Sequence, residues 1–591
     1  MANPIELPDG ITLKQVIEKV KAEDKAMLNF QKRRFDQWNE NYLLYRDKIA
    51  INRLTQRQAV NVPIIKETIR TILPKIDEEP NLTFEDRGGS LDKEIVINHK
   101  WLNDYDTNNF SLVDVVDKKQ VLLYGRSHKK LNWANGEFSG ELKEVFDLRI
   151  DPNANPINID SARYLRELNI MRALEEVMSN NRYDKDGKDK LYKYIKDGKK
   201  DGSSIARSRA NKADVKRRNE RLLQMGADSL EDFDAYDHVE ELNQHFTYLY
   251  DKKKKKYIRY VVVLATTPDD VVVLRARPME SELGVDFWPF EGWADDLEIT
   301  DYWSDSIADM LRVPNQILNV WLSQLIENRT FRNFGMNFYD STIEGFDPTG
   351  FEPRPFGWYP LPGKPSEVYQ PVEVPQLSGT IEEMQFIISL AEKASATSAI
   401  DKGVIENAKR TLGEIEIAVG KAQERTTSIA KFYRLSWKRY AEKWYQIMEA
   451  NAGEFRLYKK AANNKLVGKT FKKEDWASKE GYKITADSNT ERTTDEIEKI
   501  QRLTAIKQEF PDNAPLQKAI QKRLIRLGDL TPEEAQEIEQ YELQKITAGS
   551  GLVEDPALVA ETGNAQGATP AEGQPQDFNG MVQQILAENQ Q

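Results

Sequence analysis

The chain has no cysteine in 591 residues. Disulfides, zinc ribbons, thiol nucleophiles and cysteine-bound iron–sulfur clusters are therefore excluded. Histidine is nearly as scarce. His99, His128, His238 and His245 are all there is, and only the last two lie near each other. A His-rich metal site or a Ser-His-Asp triad has little to draw on. Long apolar runs are also missing. The longest, around Tyr260 to Ala265, falls far short of the ~20 residues that cross a bilayer, so no membrane partner is expected. Met1 to Glu6 carry neither a basic stretch nor an apolar core, so no secretory signal is expected. Nor is there an excess of basic charge: 84 Lys and Arg stand against 96 Asp and Glu, a net charge of −12 with a pI near 5.3. A general nucleic-acid binder usually shows a net basic footprint. DNA passing through a channel remains compatible with this balance, because tight binding would hinder passage.

What is present is a long, polar chain with 39% hydrophobic and 30% charged residues. Its length predicts about four domains, and a single globule of this size is not expected. Helical spacing marks 11–50, 62–76, 90–119, 161–200, 301–331, 379–394 and 404–451. The last, at about 1.5 Å per residue over roughly 45 residues, would span about 68 Å, with Gly413 and Gly420 inside it and an aromatic run from Phe432 to Tyr445. That run is expected to pack into a core. Pro314 should kink its helix or mark where it begins. Alternation marks strands at 120–124, 128–150, 244–250, 257–265 and 270–277. Asn135-Gly136 and Ser139-Gly140 are read as hairpin signals. Residues 183–232, dominated by charge, read as an exposed, partly mobile insertion. Residues 332–377, rich in proline and aromatics, read as a loop-and-strand module between helices. Residues 452–486 read as short strands and turns. Thr493 with Glu496 opens the first of three short helices, and from Thr547 onward there is no Lys or Arg, which predicts a disordered tail.

Isolated motifs carry little chemistry. Gly468-Lys469-Thr470 looks like the tail of a Walker A loop, but the leading glycine position holds Asn463, so a basic β-turn is expected instead. Asp184, Asp186 and Asp189 around Gly187 lack the closing Glu of a calcium loop and are expected to form a solvated turn. Asp147, Asp151 and Asp160 are the one group that a two-metal nuclease would use, although Asp151-Pro152 is also an ordinary turn opening. Lys252 to Lys256, flanked by Tyr250, Tyr257 and Tyr260, are read first as a solvated hairpin tip, with a nucleic-acid patch as the alternative.

The order of elements points further than any motif. An α/β body leads into a helix, a Pro- and aromatic-rich insertion, a second helix, a loop and a very long helix, then returns to β structure and a small helical bundle. With the Leu122-Leu123-Tyr124-Gly125-Arg126-Ser127 segment leading to Asp151-Pro152 and Asp160-Ser161-Ala162-Arg163-Tyr164, this order resembles the portal, or head-to-tail connector, proteins of tailed bacteriophages, especially the short-tailed phages. Thr411-Leu412-Gly413-Glu414-Ile415 is similar to a Thr-Ala-x-Glu-type segment of that family, departing from it at Leu412. The resemblance covers roughly residues 10–545.

The resemblance implies an α+β, mainly helical portal-like fold with long stem and wing helices. Its parts would be a β-containing wing or body at 1–300, a stem helix at 301–331, a Pro/aromatic-rich clip at 332–377, a second stem helix at 378–394, a channel loop at 395–411, a long wing helix and β return at 404–490, a helical crown at 491–546 and a tail at 547–591. The implied function is a dodecameric ring at one capsid vertex of the virion, assembled in the host cytoplasm. DNA would be packaged and ejected through it. The partners implied are the major capsid protein, the large terminase ATPase, tail adaptor proteins and the double-stranded DNA in transit. No catalytic residue, cofactor or metal is expected. DNA would pass Lys402, Lys409 and Arg410 in the channel loop and Arg329, Arg332 and Arg354 at the stem–clip passage. The rival reading is a metal-dependent DNA-processing enzyme, a nuclease, built on the Asp147, Asp151 and Asp160 group.

Overall fold

A computed structural model describes residues 3–47, 60–76, 80–200, 239–266, 271–333, 337–339, 369–371, 379–395, 412–460 and 466–487, with a few isolated positions besides. All of these fall within a unit spanning Met1–Leu527, and Gly528–Gln591 forms a second unit outside the described residues. The length-based expectation of about four domains is corrected by this partition. One hydrophobic core runs from Phe35 to Ile484 and gathers side chains from both ends of the unit.

The chain begins with helix α1 (Leu13–Tyr45), opened by a reciprocal cap in which the Gln15 amide donates to the Thr12 hydroxyl and the Thr12 amide to the Gln15 side chain. Its inward stripe includes Val16, Val20, Met27, Phe35, Trp38 and Leu44. Helix α2 (Ile64–Ile72) and strand β1 (Asn81–Asp86) follow. The expected single helix over 90–119 is two, α3 (Leu91–Thr107) and α4 (Phe110–Tyr124), because Asn109 takes a φ of +53° between them. Residues 120–124, expected as strand, are the last turn of α4. Gly125 ends that helix with φ +82°, and a Cβ there would lie 2.1 Å from the Ser304 carbonyl oxygen, so only glycine fits.

Strands β2 (Arg126–Ala134) and β3 (Glu137–Lys143) form the expected hairpin. Asn135 and Gly136 both have positive φ, +55° and +84°, as a two-residue turn matched to strand twist requires. Ser139-Gly140 lies inside β3 and makes no turn. Next come β4 (Leu148–Ile150), β5 (Tyr164–Ala173), α5 (Leu174–Ser179) and α6 (Lys185–Lys200). The expected helix at 161–200 is thus corrected over 164–173. These residues pair with β4 on one side and with β6 on the other, and that pairing overrides the helical propensity of Leu165, Glu167 and Leu168. Around Gly187 the expected solvated turn is the start of α6, where the Gly187 amide donates to the Asp184 carboxylate at 3.0 Å. The Asp184 amide donates to the Leu274 carbonyl and Leu191 is buried, so the start of α6 is docked on the sheet while Lys185, Asp186, Asp189, Lys190, Tyr192 and Lys193 are exposed. The remainder of the expected insertion, 201–232, lies outside the described residues.

Strands β6 (Val239–Asp251), β7 (Lys256–Thr266) and β8 (Val271–Pro278) complete an antiparallel five-stranded sheet in the order β4-β5-β6-β7-β8. After α7 (Met279–Leu283), β9 (Phe290–Ala294) adds to β2, giving a second sheet β3-β2-β9. Then come α8 (Ile307–Asn333), the short ladder β10 (Asn337–Tyr339) with β11 (Tyr369–Pro371), α9 (Thr380–Ser395) and α10 (Leu412–Asn451). The chain returns through β12 (Glu454–Lys460), β13 (Leu466–Lys472), α11 (Lys473–Trp476) and β14 (Tyr482–Asp487). Strand β14 pairs antiparallel with β1. Gly468-Lys469-Thr470 lies within β13, paired with Tyr458, Leu457 and Arg456. The expected β-turn there is corrected to a strand, and no phosphate loop forms. The content is mixed helix and strand, an α+β protein.

Candidate functional site

The element best placed to act outside the body is the pair α8 and α9. The root of α8 is capped by its own sequence: the Asp309 amide donates to the Ser306 hydroxyl at 2.9 Å, and the Ser306 amide to the Asp309 carboxylate at 3.0 Å. This Ser-x-x-Asp box sets the first turn at Ile307. Pro314 therefore does not begin the helix. It sits inside it and has no amide to offer the Met310 carbonyl.

Helix α1 holds the approach to that root. Arg34 donates to Asp301 at 2.9 Å, to the Trp303 carbonyl at 3.0 Å and to Asp305. Burial alone would lower its pKa, but hydrogen bonds to Asp305 and Asp301 outweigh this and hold the guanidinium above its ordinary value. Asn41 reaches Asp309 at 3.0 Å and the Leu123 carbonyl at 3.1 Å. The buried side chains of α8 (Ile307, Ala308, Leu311, Asn315, Leu318, Asn319 and Ser323) all fall before residue 324. The first half of the helix is embedded and the rest extends from the body.

Three of those buried residues are polar: Ser323 donates back to the Asn319 carbonyl at 2.7 Å, and the two asparagines reach across to the segment at the start of α2. Asn319 Oδ1 accepts the Val62 amide at 2.7 Å, and Asn315 Oδ1 accepts the Ile65 amide at 3.4 Å. Helix α2 has Pro63 at its N-cap and no side-chain cap of its own, so Asn315 of α8 caps it at Ile65 while Asn319 holds the Val62 amide just ahead of it. Both asparagines also donate to Asn61 Oδ1.

Helix α9 packs on α8. The β10–β11 ladder pairs Asn337 with Pro371, four residues after α8 ends and nine before α9 begins. It ties the end of one helix to the start of the other, so the two run in opposite directions. Only Ala391 and Ser395 of α9 are buried, while Ile381, Phe386 and Leu390 are exposed, Phe386 at 63%. On α8, Met310 and Val313 are exposed as well. Apolar residues at this spacing normally face a partner.

Of the expected passage residues, Arg329 and Arg332 lie three apart on the last turns of α8, exposed, with no carboxylate partner among the described residues. Arg354, Lys402, Lys409 and Arg410 lie outside the described residues. So do most of the expected clip, the channel loop, the tail, and all but isolated positions of the crown.

The carboxylates of the rival reading are engaged elsewhere. Asp151 is buried, with one oxygen accepting the Asn153 amide at 2.9 Å and the other the Arg163 amide at 3.0 Å. Asp160 accepts the Trp288 amide at 2.8 Å and pairs with Lys443 at 2.8 Å. Asp147 sits half-buried in a single 3-10 turn before β4. Among the described residues, no group of three or more His, Asp or Glu is arranged to hold a metal ion, and no helix is long and apolar enough to cross a membrane.

Asp160 belongs instead to the seat of α10. Lys443 also reaches Glu291 at 3.1 Å and the Phe290 carbonyl at 2.6 Å. Trp444 donates to Asp104 at 3.1 Å, and Lys129 pairs with Asp117 at 2.6 Å beside Ser436. Around these pairs the aromatic run of α10 is buried, with Trp444 against Trp101 (ring centroids 5.1 Å apart) and Trp437 against Phe110 at 5.3 Å. Three features of the site escaped sequence reading: the asparagine caps of α2, the Arg34 clamp and the buried lysine pairs. Each joins residues far apart in the chain, and the one local signal was polar residues on an otherwise apolar helix face. No protein-family model matches this chain, and no curated protein matches it either.

Proposed function

We propose that this protein is a ring-forming channel subunit of the portal type, mounted at a capsid vertex of a tailed phage, and that α8 and α9 form the wall of its channel. The observation that carries the reading is the antiparallel pair itself. It is rooted in the body by caps and ion pairs, then leaves it with Ile381, Phe386 and Leu390 uncovered. A neighbouring copy in a closed ring buries such a face against a different face of the next subunit.

In this reading Arg329 and Arg332 stand at the end of the wall, where they make weak, salt-screened contacts with passing phosphates. The acidic balance of the chain keeps DNA in transit from adhering to the channel wall. Packaging ATPase, capsid protein and tail adaptor are the proposed partners, with the α8–α9 end as the docking point for the motor and later the tail. The protein performs no covalent chemistry in this scheme and uses no cofactor.

Purified protein examined by light scattering and negative-stain microscopy should give closed rings with a central hole. The double variant Phe386→Glu/Leu390→Glu should remain monomeric with an unchanged circular dichroism spectrum, because neither side chain belongs to the body's core. A wild-type protein that stays monomeric at every concentration and salt level, or a variant that forms normal rings, overturns the proposal.

A further inference from the structure

The turn joining β6 to β7 consists of Lys252 to Lys255, and Lys256 opens β7, so five consecutive lysines cap one hairpin. All five are exposed. The turn is organised by Asp251, whose Oδ1 accepts the amides of Lys253 and Lys254 at 2.8 and 3.0 Å. Lys255 then takes a φ of +52°, a conformation that glycine or asparagine adopts with less strain. Lysine thus occupies a position that favours a different residue, in a chain whose net charge is −12. Lys253 pairs with Asp9. Among the described residues Lys254, Lys255 and Lys256 have no carboxylate partner. Directly behind the turn, Tyr250 and Tyr257 sit opposite each other in the ladder, with ring centroids 5.1 Å apart and both rings exposed.

We propose that this hairpin tip binds the phosphate backbone of nucleic acid without regard to base sequence. Adjacent ammonium groups repel one another until a polyanion lies across them, and each phosphate neutralised releases condensed counterions. The two tyrosines add hydroxyl donors for phosphate oxygens and ring faces for stacking. The tip from Tyr250 to Tyr257 holds no Arg, Asn or Gln, whose planar groups fix two hydrogen bonds to a base edge, and lysine on its flexible stem acts here as a point charge for phosphates, so the contact is sequence-independent. A bilayer surface suits the tip less well. Among the described residues of β6 and β7 the only large exposed apolar side chains are these two tyrosines, and a membrane-lying element needs aliphatic area to insert. The site belongs to the five-stranded sheet and not to the α8–α9 pair, so it stands whether or not the chain forms rings.

Fluorescence anisotropy of the full-length protein with a labelled DNA duplex, over a series of salt concentrations, tests this. Wild type should bind with a salt-dependent affinity. The triple variant Lys254→Gln/Lys255→Gln/Lys256→Gln should lower the slope of log affinity against log salt by about 2.7 and weaken binding roughly tenfold or more at low salt. Lys254→Arg/Lys255→Arg/Lys256→Arg should restore both. A control with the same net charge, Lys32→Gln/Lys431→Gln/Lys479→Gln at exposed positions elsewhere, should bind as wild type does. The Phe386→Glu/Leu390→Glu protein should also keep the binding, which separates this site from ring formation. The proposal fails if wild type binds no DNA at any salt, or if the two glutamine triples lose affinity equally. It also fails if the tip variant loses binding to phosphatidylserine vesicles while its DNA binding is unchanged.

Discussion

Asp114 shows what burial does to one carboxyl group. It is buried on α4, accepts the Tyr105 hydroxyl at 2.7 Å and faces Tyr433 of α10. Burial pushes its pKa up from 3.8 to about 6. Lys129 and the two tyrosine hydroxyls pull it down, and Asp117 adds to the rise. Because the folded value lies above the unfolded one, the folded state holds the proton more tightly between them. The stability this group contributes is greatest below the unfolded pKa and falls as pH rises through about 6. Asp24 has the opposite sign. Burial would raise its pKa, but Arg166 and Arg149 outweigh that and hold it below 3.8, so its contribution is present at neutral pH and lost on acidification. Asp114→Asn keeps an acceptor for Tyr105 and removes the titration. Between pH 4 and pH 7 the unfolding free energy of the variant relative to wild type should rise in the variant's favour by about 2–3 kcal/mol. Denaturant unfolding at several pH values checks this, and a flat difference would show that Asp114 does not titrate in this range.

At the scale of elements, the dependence of α2 on α8 is the most testable feature. The Ile65 amide in its first turn and the Val62 amide just ahead of it are held by Asn315 and Asn319 from another helix. Asn315→Ala and Asn319→Ala should each cost about 1–2 kcal/mol of unfolding free energy. The double variant should cost less than the sum, because both side chains share Asn61. Faster amide exchange at Val62 and Ile65 in each single variant would place the loss at α2, and unchanged exchange there would refute the assignment.

This pair also shows what can be read from sequence. The strongly periodic helices α1, α8, α9 and α10 were legible, and so were the β2–β3 and β6–β7 hairpins, since period and turn chemistry are local. Strand β5 was not, because Leu165, Glu167 and Leu168 suit a helix and only the flanking strands β4 and β6 decide otherwise. Of the candidate site, the helix pair was legible, although α8 runs two residues further than its period marked and takes in Arg332. The asparagines at 315 and 319 read only as polar interruptions of an apolar face, because their partners lie some 250 residues away in the chain.

For the molecule as a whole, the decisive contact is between β1 and β14. Asn81 pairs with Asp487 and Asp86 with Tyr482, so a segment near the N-terminus is completed by one about 400 residues later. On the inner face Phe84 meets both Trp444 and Tyr482, with ring centroids 5.5 and 6.3 Å apart. The Tyr482 hydroxyl donates to the Trp476 carbonyl at 2.5 Å. The ladder therefore closes the body around α10, whose lysine and tryptophan contacts have meaning only once both ends are in place. Such non-local closure costs chain entropy before it returns any contact energy, which predicts slow folding. It also fixes where the chain can be cut. A protein ending after Asp487 keeps β14 and should retain the near-ultraviolet circular dichroism of the buried tryptophans and a cooperative thermal transition. A protein ending after Lys479 loses β14, leaves β1 unpaired and uncovers Phe84. It should lose several kcal/mol, since burying one aromatic side chain alone is worth about 3 kcal/mol, and it should unfold at a clearly lower temperature or aggregate. If the two truncations melt alike, β14 is not what closes the body, and the core centred on Trp101, Trp437 and Trp444 holds without it.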